Sequence, residues 1–144
     1  MSQLTFDEAA VRSLEATYMS PDVVAQRARV LDLLVPAVGE RILDVGVGPG
    51  LLARDLARLV GETGRMVGLD NAPAMVAAAA QRLSDLPQVQ VRQGDAGKLD
   101  LADAAFDAAV STQVYEYVPD MPQALGELHR VLRPGGRALI LDTD

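Results

Sequence analysis

The stretch ILDVGVGPG, residues 42–50, runs from an apolar segment straight into a glycine-rich turn. Ile42 and Leu43 are apolar on consecutive positions, which suits a parallel strand covered on both faces rather than one with a wet side. Gly46, Gly48 and Gly50 follow. Residues without a Cβ let the chain turn sharply and let a ligand touch the main chain. The sequence after them, Leu51–Val60, is helical in pattern, so its free N–H groups and positive dipole end point at whatever sits on the turn. Strand, glycine turn and helix in that order are the opening unit of an α/β fold.

Working outward, short apolar runs recur at Arg41–Val47, Arg65–Asp70, Val89–Gly94, Phe106–Thr112 and Arg137–Asp142. Helical stretches lie at Leu51–Val60, Pro73–Leu83 and Asp120–Leu132, whereas the gap from Gly94 to Phe106 has room for a turn or a brief helix. Such alternation with right-handed crossovers predicts an α/β three-layer sandwich with a mostly parallel sheet of about five strands. One or two helices precede it. Thr5 and Glu8 form a capping-box pattern opening a helix to about Tyr18. Ser20 is placed as the N-cap of a second helix, with Pro21 at its first position, Asp22 in its first turn, and an apolar stripe of Val23, Val24, Val30, Leu31 and Leu34. Residues 1–38 are therefore expected to form a helical segment packed on a core of residues 39–144.

Composition removes several classes of function. Twenty acidic against thirteen basic side chains give a net charge of -7, so phosphate backbones and anionic membranes are repelled and neither nucleic acid nor membrane is expected as a partner. No apolar run approaches the roughly 20 residues of a membrane span. The start MSQLTFDEAA has acids where a secretory signal has basic and then apolar residues. Cysteine is absent and His129 is the only histidine, so thiolate chemistry, disulfides and a histidine metal centre are excluded and no metal is expected. The expected location is the cytoplasm. His129 falls off its helix's apolar stripe (Leu125, Leu128, Val131, Leu132) and is read as a solvated side chain.

Two carboxylates frame the glycine turn. Asp70 stands twenty residues beyond Gly50 at a strand tip, where an acid accepts hydrogen bonds from both hydroxyls of a ribose. It also has a plain structural reading, as the residue before a helix cap formed by Asn71 with Pro73 in the first turn. Asp44 lies inside the first strand, where a carboxylate is costly unless a ligand amine or a backbone donor meets it. The glycines themselves could serve only the turn. In the dinucleotide fingerprint a third glycine stands three residues after the second; here Leu51 holds that place and Gly50 falls one residue early, which argues against a pyrophosphate.

ILDVGVGPG, followed by GLD at 68–70, GDA at 94–96 and LRPGG at 132–136, resembles the class I S-adenosylmethionine-dependent methyltransferases, which share a Rossmann-like fold. It is similar in particular to the ubiquinone/menaquinone-biosynthesis-like group acting on small molecules, over roughly residues 20–144. The resemblance implies S-adenosyl-L-methionine as cofactor and a small organic molecule as methyl acceptor. It implies that Gly46, Gly48 and Gly50 cradle the methionine portion, with Asp44 near its amine. It further implies Asp70, with the adjoining Asn71, at the ribose and Met75 near the adenine. Asp95 with the Ala96 backbone takes the adenine amino edge, and Thr112 and Gln113 line the floor by the sulfonium. Arg27, in a segment that folds over the cofactor in such enzymes, is a candidate partner for its carboxylate. Carboxylates around a sulfonium are electrostatically favourable, whereas they repel a pyrophosphate.

Tyr115, Glu116 and Tyr117 follow the fourth strand on the side where ligands bind in open α/β sheets. Tyr115 and Glu116 are the candidates for a role in catalysis, and a packing plug is the alternative for the tyrosine. The family's fold carries two more strands after the fifth, and the chain stops at Asp144. That expectation leaves Ala138–Leu141 as an exposed edge, which a second copy of the chain would cover as a homodimer; a fragment of a longer enzyme is the other explanation. Three functions remain open: methyl transfer, binding of the cofactor without turnover, and, less favoured, a nicotinamide-dependent oxidoreductase.

Overall fold

A computed structural model describes residues 8–142. Two helices, α1 (Glu8–Tyr18) and α2 (Pro21–Leu34), lead into β1 (Arg41–Val45), α3 (Leu51–Val60), β2 (Arg65–Asp70), α4 (Pro73–Arg82), β3 (Val89–Gln93), β4 (Phe106–Thr112), α5 (Met121–Val131) and β5 (Leu132–Leu141). A single 3-10 turn at Tyr115–Tyr117 sits between β4 and α5. The sheet order is β3-β2-β1-β4-β5, and every pairing is parallel. This is the Rossmann-like three-layer sandwich that the alternation predicts, with the sheet wholly rather than mostly parallel.

The pleat assigns the layers. Ile42, Met66, Ala108 and Val110 point to one face, where they bury α2 through Val30 and Leu34, α3 through Leu52 and Leu56, and α4 through Ala79 and Leu83. Leu43, Val45, Val67, Leu69 and Ala109 point to the other, against α5 (Ala124, Leu128, Val131), Ala96 and Leu99. Burial of this kind stabilises by roughly 25 cal/mol per Å² of apolar surface. Strand order reverses direction between β1 and β4, and in open α/β sheets the carboxyl ends of strands at such a switch form the ligand crevice. The glycine turn leaves β1 at that point. No helix among the described residues is long and apolar enough to cross a membrane.

Several sequence expectations need adjustment. Thr5 of the proposed capping box lies outside the described residues. Ser20 does precede α2 in extended geometry, but its side chain makes no capping hydrogen bond, and Val24 of the expected stripe is 41% exposed. The N-cap of α4 is Ala72 rather than Asn71; Asp70 instead accepts the Ala72 N–H at 3.0 Å. β5 starts at Leu132, not Arg137: Leu132 pairs with Phe106, and pairing resumes with Arg137 opposite Ala108. The intervening Arg133–Gly136 is a bulge, made possible by Gly135 at φ +80° and pinned by the Arg133 guanidinium on Asp107. His129 is exposed.

α2 is fastened to β5 through one side chain. Arg137 donates to the Leu34 and Val35 carbonyls at 2.7 and 2.9 Å and to both oxygens of Glu40 at 2.8 and 2.7 Å. Its guanidinium thus caps the helix end left without intrahelical donors, and it holds the Glu40 carboxyl below its ordinary value. The same clamp keeps Val35 at φ 51°, a left-handed conformation that a β-branched residue adopts at a cost of about 1–2 kcal/mol.

Candidate functional site

The turn after β1 is built by tight backbone bonding. The Gly46 and Val47 N–H groups both donate to the Leu69 carbonyl, at 2.7 and 2.8 Å, locking the turn against the end of β2. Gly46, Gly48 and Gly50 have φ of +83°, +56° and +93°, so all three need glycine for conformation alone. At Gly46 a methyl group would also stand 2.0 Å from Val114 Cγ2. Gly50 lies against Ala79 and Leu83 of α4, where an added Cβ would meet atoms at 3.2–3.4 Å. Close helix packing is the duty of the third fingerprint glycine, and here it passes to Gly50, one residue early.

Asp70 at the tip of β2 joins the turn to α4. Its Oδ2 accepts the Gly48 N–H at 3.0 Å and its Oδ1 the Ala72 N–H at 3.0 Å. Burial raises its pKa, and the backbone donors at Ala72 and Gly48 oppose that rise. Asp44 is 1% exposed, and its Oδ1 is buried without a hydrogen-bond partner. Burial, and then the charge of Asp70, push its pKa well above the ordinary aspartate value. A buried carboxyl with an orphaned oxygen, its ionisation further disfavoured by Asp70, makes a place that wants a cationic donor.

Tyr18, at the end of α1, packs over the glycine turn. Its hydroxyl lies 3.5 Å from where a Gly48 Cβ would be. Burial raises the phenol's pKa, Asp44 and Asp70 raise it further, and Arg27 works against them. Arg27 Nη1 donates to the Tyr18 carbonyl at 2.6 Å, and its Nε lies 3.8 Å from the carboxylate of Asp55 in α3. It fastens the elbow between α1 and α2, and its Nε is buried without a hydrogen bond. A second fastening comes from Arg82, which donates to the Pro49 carbonyl at 2.9 Å and meets Glu15 of α1 at 3.2 Å.

The remaining expected residues divide. Met75 is buried with Val11 of α1 and Ala72, next to the α4 end of the turn. Asn71 is exposed, and its carbonyl accepts from Gln93 at 3.3 Å. Asp95, exposed beyond β3, accepts the Gly97 N–H at 2.8 Å, and Ala96 beside it is buried. Thr112 and Gln113 are half-buried at the end of β4; Gln113 has φ +60° and donates its N–H to the Leu141 carbonyl at 2.7 Å. Tyr115 is fully buried in the α5-side core. Its hydroxyl lacks a partner, and burial, with Asp142 nearby, pushes it up to about 12. Glu116 is exposed.

The donor set fits S-adenosylmethionine. The orphaned Asp44 oxygen lacks a donor that an ammonium supplies, two carboxyls favour a ligand carrying positive charge, and Asp70 keeps acceptor sites for a diol. A pyrophosphate brings the wrong sign to the same place.

Comparison with known proteins agrees. The family model described as "Methyltransferase domain" matches residues 43–140. The chain is 46% identical over 112 residues to the 2-phytyl-1,4-naphtoquinone methyltransferase of Thermosynechococcus vestitus, covering 78% of this chain and 50% of that protein. It is 39% identical over 135 residues to an uncharacterized transposon-borne protein of Streptomyces fradiae, covering 90% of this chain and 39% of the other. It therefore spans half the length of these relatives or less. Among solved structures, a SAM-dependent methyltransferase from Aquifex aeolicus superposes with a TM-score of 0.83 at 26% identity, covering 96% of this chain and 73% of that one. With the geometry of the glycine turn and its two acids, these matches establish that the chain belongs to the methyltransferase-domain family, among class I S-adenosylmethionine-dependent methyltransferases.

Proposed function

We propose that the protein transfers a methyl group from S-adenosylmethionine to a small organic acceptor, with a quinone-type ring as the acceptor class. The observation that carries this reading is the buried, unpartnered Asp44 oxygen beside Asp70. When bound, the cofactor supplies an electrophilic methyl group. Asp44 would hold its amine, Asp70 the ribose hydroxyls, and the backbone of Gly46–Gly50 its amino-acid portion. Met75, Asp95 and Ala96 would flank the adenine, and Thr112 and Gln113 the sulfonium end. Tyr18, seated over Gly48 by Arg27, would exclude water from the crevice. Rate enhancement would come from proximity and alignment, which are worth up to several kcal/mol without a covalent step. Tyr115, sealed in the core with its hydroxyl near 12, is poorly placed to take a proton; Glu116 is exposed and stays the candidate to accept one from the acceptor. The quinone class is supported by the relative named 2-phytyl-1,4-naphtoquinone methyltransferase and a demethylmenaquinone methyltransferase of Desulfitobacterium hafniense, 33% identical over 119 residues.

The test is calorimetric titration with S-adenosylmethionine, followed by turnover with a demethylated naphthoquinone. Binding with methyl transfer is the expected result. Binding with no turnover on any quinone would assign a cofactor-binding module instead, and absence of binding would remove both. The outer edge of β5 has no neighbouring strand among the described residues, and we place a second copy of the chain there, joined antiparallel. Sedimentation at micromolar concentration should show a dimer, and a monomer alone would sink that arrangement.

A further inference from the structure

The opposite end of the sheet, away from the glycine turn, carries a second constellation that methyl transfer does not use. β1 and β2 open on Arg41 and Arg65, which are direct partners in the parallel register. One strand further, Gln90 and Arg92 of β3 pair with Val67 and Leu69, so by the two-residue pleat they share the face of Arg41 and Arg65. The connection from β3 to β4 has only turns and an isolated bridge, so no helix covers these strands on that side. A cavity of about 330 Å³ remains, walled by these side chains with Val67 and Phe106 at its floor.

Like charges directly across neighbouring strands repel, and here they stand in a chain whose net charge is -7. Three guanidiniums line the cavity against one acidic side chain, Asp100. Neutralisation from within the chain is incomplete. The Arg65 backbone N–H donates to the Glu40 carbonyl at 3.0 Å, but its side chain takes part in no hydrogen bond or ion pair among the described residues. The carboxylate nearest Arg41 is Asp107, with Arg41 Nε at 3.8 Å, and Arg133 already holds it. Arg92 reaches only neutral oxygens, Gln90 Oε1 at 3.0 Å and the Asp100 carbonyl at 3.4 Å, and its Nε is buried with no partner. Guanidinium forks match the oxygens of a phosphoryl group two at a time, which an ammonium does not.

We propose that this cavity binds the phosphoryl group of a small anionic ligand, held among Arg41 and Arg65, at the end of the sheet remote from the cofactor crevice, and Arg92, which reaches the cavity from further along β3. The proposal is independent of the methyltransferase reading. Arg65 is exposed and its guanidinium bonds to nothing in the fold, so its replacement by glutamine keeps the backbone pairing of β2, whereas the cavity loses a charge.

Calorimetric titration with inorganic diphosphate and with glycerol phosphate, at constant ionic strength, tests it. Saturable binding of either probe is expected, diphosphate alone marking a site for a free anion and both a site for a phosphorylated molecule. Arg65→Gln should weaken binding about tenfold, the effect of losing one charge-assisted contact. Arg58→Gln, an exposed arginine on α3, should leave it unchanged, and so should Asp70→Asn at the glycine turn. Absence of saturable binding would overturn the proposal. Equal weakening by Arg58→Gln would overturn it as general charge screening, and loss in Asp70→Asn would overturn it by moving the anion to the turn.

Discussion

Asp70→Asn should weaken S-adenosylmethionine binding by about two orders of magnitude, measured by calorimetry near neutral pH. An ionised carboxylate offers about four acceptor sites, and Asp70 gives one to the Gly48 N–H and one to the Ala72 N–H. The sites left over suit the adjacent hydroxyls of a ribose. Hydrogen bonds to a charged group contribute about 1.5–3 kcal/mol each, so losing two would cost roughly 3 kcal/mol, or a hundredfold. The amide also turns an NH2 group toward one of the two backbone donors, loosening either the turn or the start of α4. Adenosine separates these effects, because it keeps the ribose and lacks the amino acid. Its affinity should fall by a comparable factor in Asp70→Asn, with the circular dichroism of the variant unchanged. Undiminished affinity for both ligands would show that Asp70 serves only the Gly48 and Ala72 N–H groups.

The parts of the site that are local in sequence were legible in it. Gly46, Gly48 and Gly50 need positive φ, and a strand-to-helix turn is a short-range device; Asp70 and Asp44 stand at positions that the alternation already assigns to strands. The closing residues were not legible. Tyr18 comes to Gly48 through the packing of α1 on α4, which rests on Val11, Met75 and the Glu15–Arg82 pair, and no periodicity within α1 points to that partner. Arg27 is a candidate partner for the cofactor carboxylate on the strength of the resemblance alone, and no pattern in the sequence points to the bond its Nη1 makes with the Tyr18 carbonyl. The misplaced start of β5 has a similar origin. Arg133–Gly136 carries turn residues, and only the partner strand reveals that they form a bulge within a strand that has already begun. Val24 shows the same limit for helical stripes, since α2 buries just the part of its face that reaches the sheet.

Asp44→Asn should move stability and binding in opposite directions. Burial and the neighbouring Asp70 raise the Asp44 pKa well above its ordinary value, so the folded protein holds that proton more tightly than the unfolded chain does. Stability without cofactor is then greatest below the unfolded value of about 4 and falls as pH rises toward the folded one. Asp70, also raised, adds a smaller slope of the same sign. At pH 7 a buried carboxylate with an orphaned oxygen is a liability, and a neutral amide of the same shape relieves about 2 kcal/mol of it. That gain corresponds to a melting temperature higher by roughly 5 °C for a chain of this size. The melting temperature of Asp44→Asn should also change less with pH above 4 than that of the unaltered protein. Binding runs the other way, because the ammonium of the cofactor loses a charged acceptor worth about 1.5–3 kcal/mol, a drop of ten- to a hundredfold. Adenosine, which has no ammonium, should bind both proteins alike. In the unaltered protein the affinity for S-adenosylmethionine should rise with pH as Asp44 gives up its proton, and the amide variant should lose that dependence. If the variant instead melts lower and binds the cofactor as before, the Asp44 carboxyl belongs to the packing of β1 and not to the ligand.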